Sequence, residues 1–545
     1  MNKISGGCIT NVNTSSVEIK NKYQLIKSEY SENSFIYYNN LSLPENNLYI
    51  TKEIIIILNG EIYNYDDLLL NPKAEKHESF FTLLEFKYRN NDLPSIINKL
   101  DGVFNIIIID KLKEEIILIT DRNGLKLLYI YFDTNHFLWS NSVSELITLF
   151  KDKNKLKIKP SSIEMFMQFG YLLGNQTYFE NIILTNPASI YNYKFKNNIL
   201  DSFYYWTWDK IKPQKIDFET ATVQASELFN SAVMNRFSEK ERIGISLSGG
   251  LDSRFIVSAI AKNIPDYKGF LHTFGLHNCL DIKIAQTIAN KLNWHHKLYF
   301  LNNLNLIDKR EKMVFQTDGM FDMQHMHGLE FIDDLKNYID INLNGYAGEV
   351  VMGGNYLKSE NYLNKPINKD IAFHFYNDYY LFSEFNNRYI ETNHIDPYIL
   401  MNRGRRMANM PFQANAEILI QRLPFMDNKL IDFVYSLPDE FRYNNKIYFH
   451  MLLKYHKELF ENIPWQHTEL PIDKEYSLKF NFFKYFNKII SKIGIKKQSK
   501  NYIDYVKYLE EFDIKPSYGV ENFFRKLTLK LYFEKFEINP FNPQN

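Results

Sequence analysis

Up to about residue 205 the chain alternates short apolar runs with polar breaks, the rhythm of strands and turns. Ile54 to Leu58 form a continuous apolar run ending in Asn59-Gly60, a dipeptide that favours a turn. Gly102–Asp110 and Glu115–Thr120 are apolar segments separated by the polar Lys111-Leu-Lys-Glu114, which predicts a hairpin. Only Phe80–Tyr88 and Ser161–Phe169 carry a helical period in this half. From about Asp217 the rhythm changes. A helical pattern runs to Phe237, and a strand follows at Ile243–Leu247. Helix, strand and helix come next at Arg254–Lys262, Gly269–Phe274 and Asp281–Leu292, then a strand at Ile339–Leu343. Strands alternating with helices predict a doubly wound parallel sheet. The chain therefore divides into residues 1–205 and 206–545, with Trp206–Pro213 as the linker; no internal repeat is present, and Lys492–Lys500 reads as a surface loop.

The strand at Ile243–Leu247 leads into Ser248-Gly249-Gly250-Leu251-Asp252-Ser253 and then into a helix. A strand, a glycine turn and a helix N-terminus place backbone N–H groups and the positive end of a helix dipole around an anion. Glycine lets the backbone approach phosphate oxygens, serine hydroxyls donate to them, and Asp252 is placed to hold a magnesium ion. No lysine stands where a Walker A loop needs one. The wording resembles instead the loop of enzymes that split ATP between its α and β phosphates. Such a loop at a strand's carboxyl end lies where doubly wound folds bind ligands.

Composition narrows the setting. The 64 basic and 64 acidic residues cancel, so no net field recruits nucleic acid or an anionic membrane. Cys8 and Cys279 are too few for a disulfide framework and suit a reducing compartment. No charged leader with an apolar core opens the chain, and no apolar run approaches about 18 residues. A cytoplasmic protein acting on small or peptide substrates is expected. His295-His296 and His325-Met-His327 lack further ligands at zinc-like spacing and are read as structural. The 38 tyrosines and 43 phenylalanines run evenly along the chain and define no patch.

Taken in order, these motifs resemble the asparagine synthetase family along nearly the whole chain. Asn59-Gly-Glu-Ile-Tyr-Asn64 looks like the family's glutamine-site loop, and Thr120-Asp-Arg-Asn-Gly-Leu-Lys-Leu-Leu-Tyr129 like its Arg-Asp-x-x-Gly region, with Thr120 in place of the arginine. The second half adds Ser248–Ser253, Phe274-Gly275, Asp281-Ile-Lys-Ile-Ala285 and Arg422-Leu-Pro-Phe-Met-Asp427. The resemblance implies an N-terminal-nucleophile-type αββα sandwich that acts as a glutamine amidotransferase, joined to an ATP-using synthetase domain. It also implies ATP and Mg2+ as cofactors, with Leu247, Ser248, Gly249, Gly250, Asp252, Ser253, Phe274 and Gly345 around the nucleotide.

Departures from the family pattern say more. A glutaminase of this type uses a cysteine after the initiator methionine, and Asn2 stands there; Cys8 is not made N-terminal by ordinary methionine removal. The family's carboxylate-gripping arginine is missing from Phe35–Leu41, and its aspartate from His77–Ser79. A glutaminase-inactive domain is expected, with Asn59–Asn64 kept as a structural turn. In Asn344-Gly345-Tyr346-Ala347-Gly348-Glu349, alignment on Gly345 puts Tyr346 where the family has its first glutamate and Glu349 where it has a magnesium-binding aspartate. Tyrosine there resembles β-lactam synthetase, in which it helps deprotonate the attacking amine. That enzyme's supporting glutamate is replaced by Ile420, although Glu417 lies one helical turn earlier. A buried packing tyrosine is the alternative reading of Tyr346.

The chemistry so implied is adenylation of a carboxylate with release of pyrophosphate, Asp252 and Glu349 positioning Mg2+, followed by attack of an amine. Tyr346 would accept the amine's proton and Lys474, in Pro471-Ile-Asp-Lys-Glu475, would stabilise developing charge. Ring closure of an amino-acid or peptide substrate fits best, as in β-lactam synthetase or the lasso peptide cyclases, the latter bringing a precursor peptide and a leader protease as partners. Ammonia-dependent asparagine synthesis, amidation of a sugar acid, and a non-catalytic scaffold are the other readings.

Overall fold

A computed structural model describes residues 5–9, 24–27, 35–39, 47–68, 76–149, 156–301, 306–354, 357, 395–416, 418–474 and 520–540. Asn2, Glu417 and Lys492–Lys500 lie outside the described residues, as do the side chains of Cys8, Phe35–Asn39 and His77–Ser79.

The first half is two antiparallel six-stranded sheets. One runs in the order Ile182–Leu184, Tyr129–Phe132, His136–Ser140, Ser5–Ile9, Phe35–Asn39, Gln24–Lys27; the other Ile199–Tyr204, Ser189–Lys194, Glu115–Thr120, Gly102–Asp110, Ile54–Ile62, Leu48–Ile50. The isoleucine runs make sense between layers, because alternate residues of one strand bury on opposite faces. Ile55, Ile57, Ile107 and Ile109 pack between the sheets with Phe137 and Trp139, while Ile54, Ile56 and Leu58 pack under Phe80, Phe81 and Leu84 of the helix Lys76–Arg89. Helices Val143–Leu149 and Pro160–Phe169 cover the outer face of the first sheet, completing an αββα sandwich.

The hairpin forms where the pattern placed it, with Asp110 opposite Glu115. The Asn59-Gly60 turn does not. Both residues continue the strand, pairing with Asn105 and Phe104. Gly60, at φ +126°, is a close backbone approach: a Cβ there would lie 2.0 Å from the Val103 carbonyl oxygen.

The second half carries a parallel sheet in the order His295–Phe300, Phe270–Gly275, Ile243–Ser246, Ile341–Leu343, Ile420–Arg422. Helices Phe218–Met234, Asp252–Asn263 and Leu280–Leu292 share its main core with Ile243, Ile245, Leu271 and Leu343, and the Leu329–Leu335 segment covers Phe270 and Ile339 on the other face. From Ile243–Ser246 the chain builds outward on one side, then crosses back to place Ile341–Leu343 on the other. That reversal opens a crevice between their carboxyl ends, the switch point of such folds.

The halves are joined by buried guanidinium groups. Arg422 makes paired hydrogen bonds to both oxygens of Glu61 (2.8 and 2.9 Å) and to both oxygens of Glu241. Arg236 bridges Asp101 (2.7 Å) and Asp427 (3.0 Å) and lies over the Tyr63 ring. Burial pushes the Asp101 carboxyl up to about 6, against the pull of Arg236. A nine-residue π-helix, Leu400–Ala408, sends Arg405 to the carbonyls of Gly124 and Thr185 and Arg406 to those of Leu172 and Gln176. Trp206–Pro213, expected to be a linker, has its two tryptophans packed while Asp209, Lys210, Lys212 and Pro213 are exposed: Trp206 meets Trp208 edge-on, Trp208 meets Tyr435, and Arg122, paired with Asp432, covers the Trp206 ring at 3.6 Å.

Arg236→Ala should leave Asp101 and Asp427 facing each other without a cation, costing about 3–5 kcal/mol in denaturant unfolding. A loss of under about 1 kcal/mol, the scale of a surface pair, would show that the seam does not rest on this arginine.

Candidate active site at the sheet switch point

Two loops leave adjacent strands and meet in the crevice. The first, Leu247 to Leu251, leads into the helix Asp252–Asn263; the second, Asn344 to Ala347, leads into the short turn Gly348–Val351. Ser248 Oγ accepts from the Gly250 N–H at 3.1 Å and lies 3.2 Å from Ser253 Oγ, which accepts from the Ser248 N–H. Hydroxyls rotate, so this closed ring of donors can reopen toward an anion in the turn. The Gly249 N–H is committed elsewhere: it donates to Asp281 Oδ1 at 2.9 Å, while Asp281 Oδ2 accepts from Gln466 Nε2 at 2.7 Å. Gln466 N and Arg254 both donate to the Gly249 carbonyl. Arg254 also reaches the Pro464 carbonyl, and burial lowers its guanidinium to about 10.

Asp252 is enclosed by the second loop. Its Oδ2 accepts from the Glu349 N–H at 3.0 Å and its Oδ1 from the Tyr448 hydroxyl at 2.8 Å. Burial, then the Glu349 carboxylate, push the Asp252 carboxyl well above the usual range. Gly345 and Gly348 make the approach possible. A Cβ on Gly345 would lie 2.7 Å from Ser253 N, and one on Gly348 2.3 Å from Asp252 Cγ. Between them Ala347 adopts the left-handed conformation at φ +65°, a strained backbone of the kind that clusters at functional sites.

The geometry therefore gathers Ser248, Gly250, Asp252, Ser253, Gly345 and Glu349. Leu247 is buried, its N–H donating to the His272 carbonyl and its carbonyl accepting from the Thr273 hydroxyl. Phe274 ends the neighbouring strand, and Gly328, at φ +78°, lies against its ring. Tyr346 is 7% exposed, packs edge-on against Phe412 and sets its hydroxyl 2.9 Å from where a Gly404 Cβ would be, on the π-helix. Lys474 is exposed and donates to Asn462 Oδ1 at 3.2 Å.

Tyr448, Asp281 and Gln466 were not anticipated as partners of the loop. Tyr448 lies 196 residues beyond Asp252 and carries no local mark. Also unforeseen is a polar row across the sheet beneath the loop. Ser246 and His272 share Asn342 Oδ1 at 2.9 and 3.0 Å, and Asn342 Nδ2 donates to Gln421. Burial lowers His272 to about 4, so it sits in this row neutral. The paired histidines gather no metal set; among the described residues no group of three or more His, Cys, Asp and Glu is arranged to hold an ion.

Comparison with known proteins finds matches to both halves of the chain. A glutamine amidotransferase domain model matches residues 48–206 and an asparagine synthase model residues 224–417. Both halves are similar to the asparagine synthetases. A putative glutamine-hydrolysing asparagine synthetase of Methanocaldococcus jannaschii is 26% identical over 310 residues, covering 55% of this chain and 59% of that protein. The asparagine synthetase of Gallus gallus is 26% identical over 271 residues, 48% and 46% of the two chains, and that of Cricetulus griseus 24% identical over 447, 78% and 73%. The alignment with the first of these relatives spans about three fifths of its length, and that with the Gallus gallus protein about half.

Two substitutions separate packing from ligand contact in this chain. Gly348→Ala forces a methyl into Asp252 and should cost about 1–3 kcal/mol of stability. Gly250→Ala meets only the Ser248 hydroxyl at 3.1 Å, which can turn aside, and should unfold nearly as wild type does. Equal losses in urea unfolding would contradict this placement of the second loop.

Proposed function

We propose that this protein is an ATP-dependent amide-forming ligase whose attacking amine is carried by its substrate. The observation that carries the reading is the pair of loops at the switch point, where Asp252 heads a helix and is held by Glu349 N–H and Tyr448. In the first step a substrate carboxylate oxygen attacks the α-phosphorus of ATP and the bond to the β-phosphate oxygen breaks, releasing pyrophosphate. Ser248, Ser253 and Gly250 would donate to phosphate oxygens, and the helix N-terminus would favour their charge.

Asp252 and Glu349, two neighbouring half-buried carboxylates, suit a Mg2+ ion, which when bound would neutralise phosphate charge. The pair supplies two ligands, and phosphate oxygens and water would complete the set, as is usual for this ion. In the second step the amine nitrogen attacks the acyl carbon, AMP leaves, and the nitrogen gives up a proton. Tyr346, next to Gly345, is the acceptor we assign, and Lys474 the cation for charge developing on the acyl oxygen.

The source of the amine is read from the first half. Within the segment that resembles the glutamine-site loop, both carboxylate oxygens of Glu61 are taken by Arg422. Asn64 bonds Lys99 O and Asp101 N. Glu61 thus serves the seam, and Asn64 holds the neighbouring turn of its own half. Held in this way, they support an amine already present on an amino-acid or peptide substrate, as in ring closure by β-lactam synthetases or lasso peptide cyclases; a precursor peptide would be the partner in the latter case.

Incubated with ATP and candidate amino acids or peptides, the protein should form AMP and pyrophosphate; ADP and phosphate would overturn the adenylation step. Asp252→Ala should abolish turnover. Tyr346→Phe should preserve pyrophosphate exchange into ATP and slow amide formation about 100-fold or more; equal loss of both would make Tyr346 a packing residue. Release of glutamate from glutamine would refute the inactive-glutaminase reading.

A further inference from the structure

Tyr448 is fully buried, yet it carries a hydroxyl. It stands in the first turn of the helix Lys446–Tyr455, packed in the main core with the Phe255 ring 5.9 Å away, and a phenylalanine would fill that space equally well. A hydroxyl taken into such a core costs stability unless it is bonded. Here it donates to Asp252 Oδ1 at 2.8 Å, across 196 residues of chain. The helix is itself tied to the segment after the second loop, because Asn445 N, just ahead of it, donates to the Gly353 carbonyl at 3.2 Å. Asp252 is thus held by its own helix at the backbone, by the Glu349 N–H on Oδ2 and by Tyr448 on Oδ1. It remains half-buried, so part of the side chain stays accessible.

Each carboxylate oxygen has two lone pairs, and each oxygen of Asp252 accepts one of these two bonds. One lone pair per oxygen therefore fixes the plane of the group, and the other is left for a cation. Carboxylates that ligate a metal are ordinarily oriented by such hydrogen bonds, and losing the partner weakens metal binding about 10–100-fold. Resting on the proposed use of Asp252 as a cation ligand, we infer that Tyr448 is a positioning residue for it: the hydroxyl sets the orientation in which Asp252 receives Mg2+, and so sets how much Mg2+ the protein needs to bind ATP. The ring serves the core; the oxygen serves the site.

Calorimetric titration of the full chain with α,β-methylene-ATP, which cannot be cleaved between those phosphates, over a range of Mg2+ concentrations reads this without turnover. Tyr448→Phe keeps the ring and should raise the Mg2+ concentration for half-maximal nucleotide binding about 10–100-fold, with binding restored at saturating Mg2+. Affinity for AMP measured without Mg2+, and thermal unfolding of the metal-free protein, should match wild type. An unaltered Mg2+ requirement would overturn the assignment, as would a defect that saturating Mg2+ does not restore. Weaker AMP binding or earlier unfolding of the variant would overturn it too, by making the hydroxyl a support for the fold of the pocket. A wild-type nucleotide affinity that does not depend on Mg2+ would refute the cation reading itself, and this role with it, whereas a Mg2+-dependent wild type with an unaltered variant would refute the role of Tyr448 alone.

Discussion

The second half is organised around one half-buried carboxylate. Asp252 begins the helix that follows the first strand of the parallel sheet, and it is clasped by the loop that follows the adjacent strand. Its two oxygens accept from Glu349 N–H and from Tyr448, and Gly345 and Gly348 close on it so tightly that neither position has room for a methyl group. These contacts are available only because the sheet reverses its winding between those strands, which leaves their carboxyl ends side by side and uncovered by a crossover. Burial and the neighbouring Glu349 charge both oppose ionisation of Asp252. A cation beside these two carboxylates would offset that cost.

The same economy of charge holds the two halves together. Arg422, Arg236, Arg405 and Arg406 are buried, and each reaches a carboxylate or backbone carbonyl across the seam. Breaking such groups apart costs far more than separating exposed pairs, so the halves should behave as one body. The segments that look like glutamine-site motifs, Asn59–Asn64 and Thr120–Tyr129, are the ones these arginines grip. Glu61 is bound by Arg422, and Gly124 presents its carbonyl to Arg405 at 2.7 Å. The π-helix links this seam to the synthetase crevice, since its Gly404 faces the Tyr346 hydroxyl while Arg405 and Arg406 reach into the sandwich.

Local chemistry made much of this legible in advance. Continuous isoleucine runs read as strands buried on both faces, and the strand, glycine turn and helix at 243–263 read as a phosphate loop because glycine and a helix terminus act within a few residues. The alternation after Asp217 implied the parallel sheet for the same reason. Long-range contacts had no such mark. Asn59-Gly60 has the composition of a turn, yet pairing along Gly102–Asp110 outweighs that preference and glycine serves instead to let two backbones approach. Trp206–Pro213 has the composition of a linker but packs through its tryptophans. Tyr448, Gln466 and the row from Ser246 to Gln421 join the site only through strand order, which decides the neighbours of a side chain regardless of separation along the chain. Residue type and spacing determined which chemistry the loop can perform; the topology of the sheet decided which carboxylates, hydroxyls and guanidinium groups surround it, because burial and hydrogen bonding act through space.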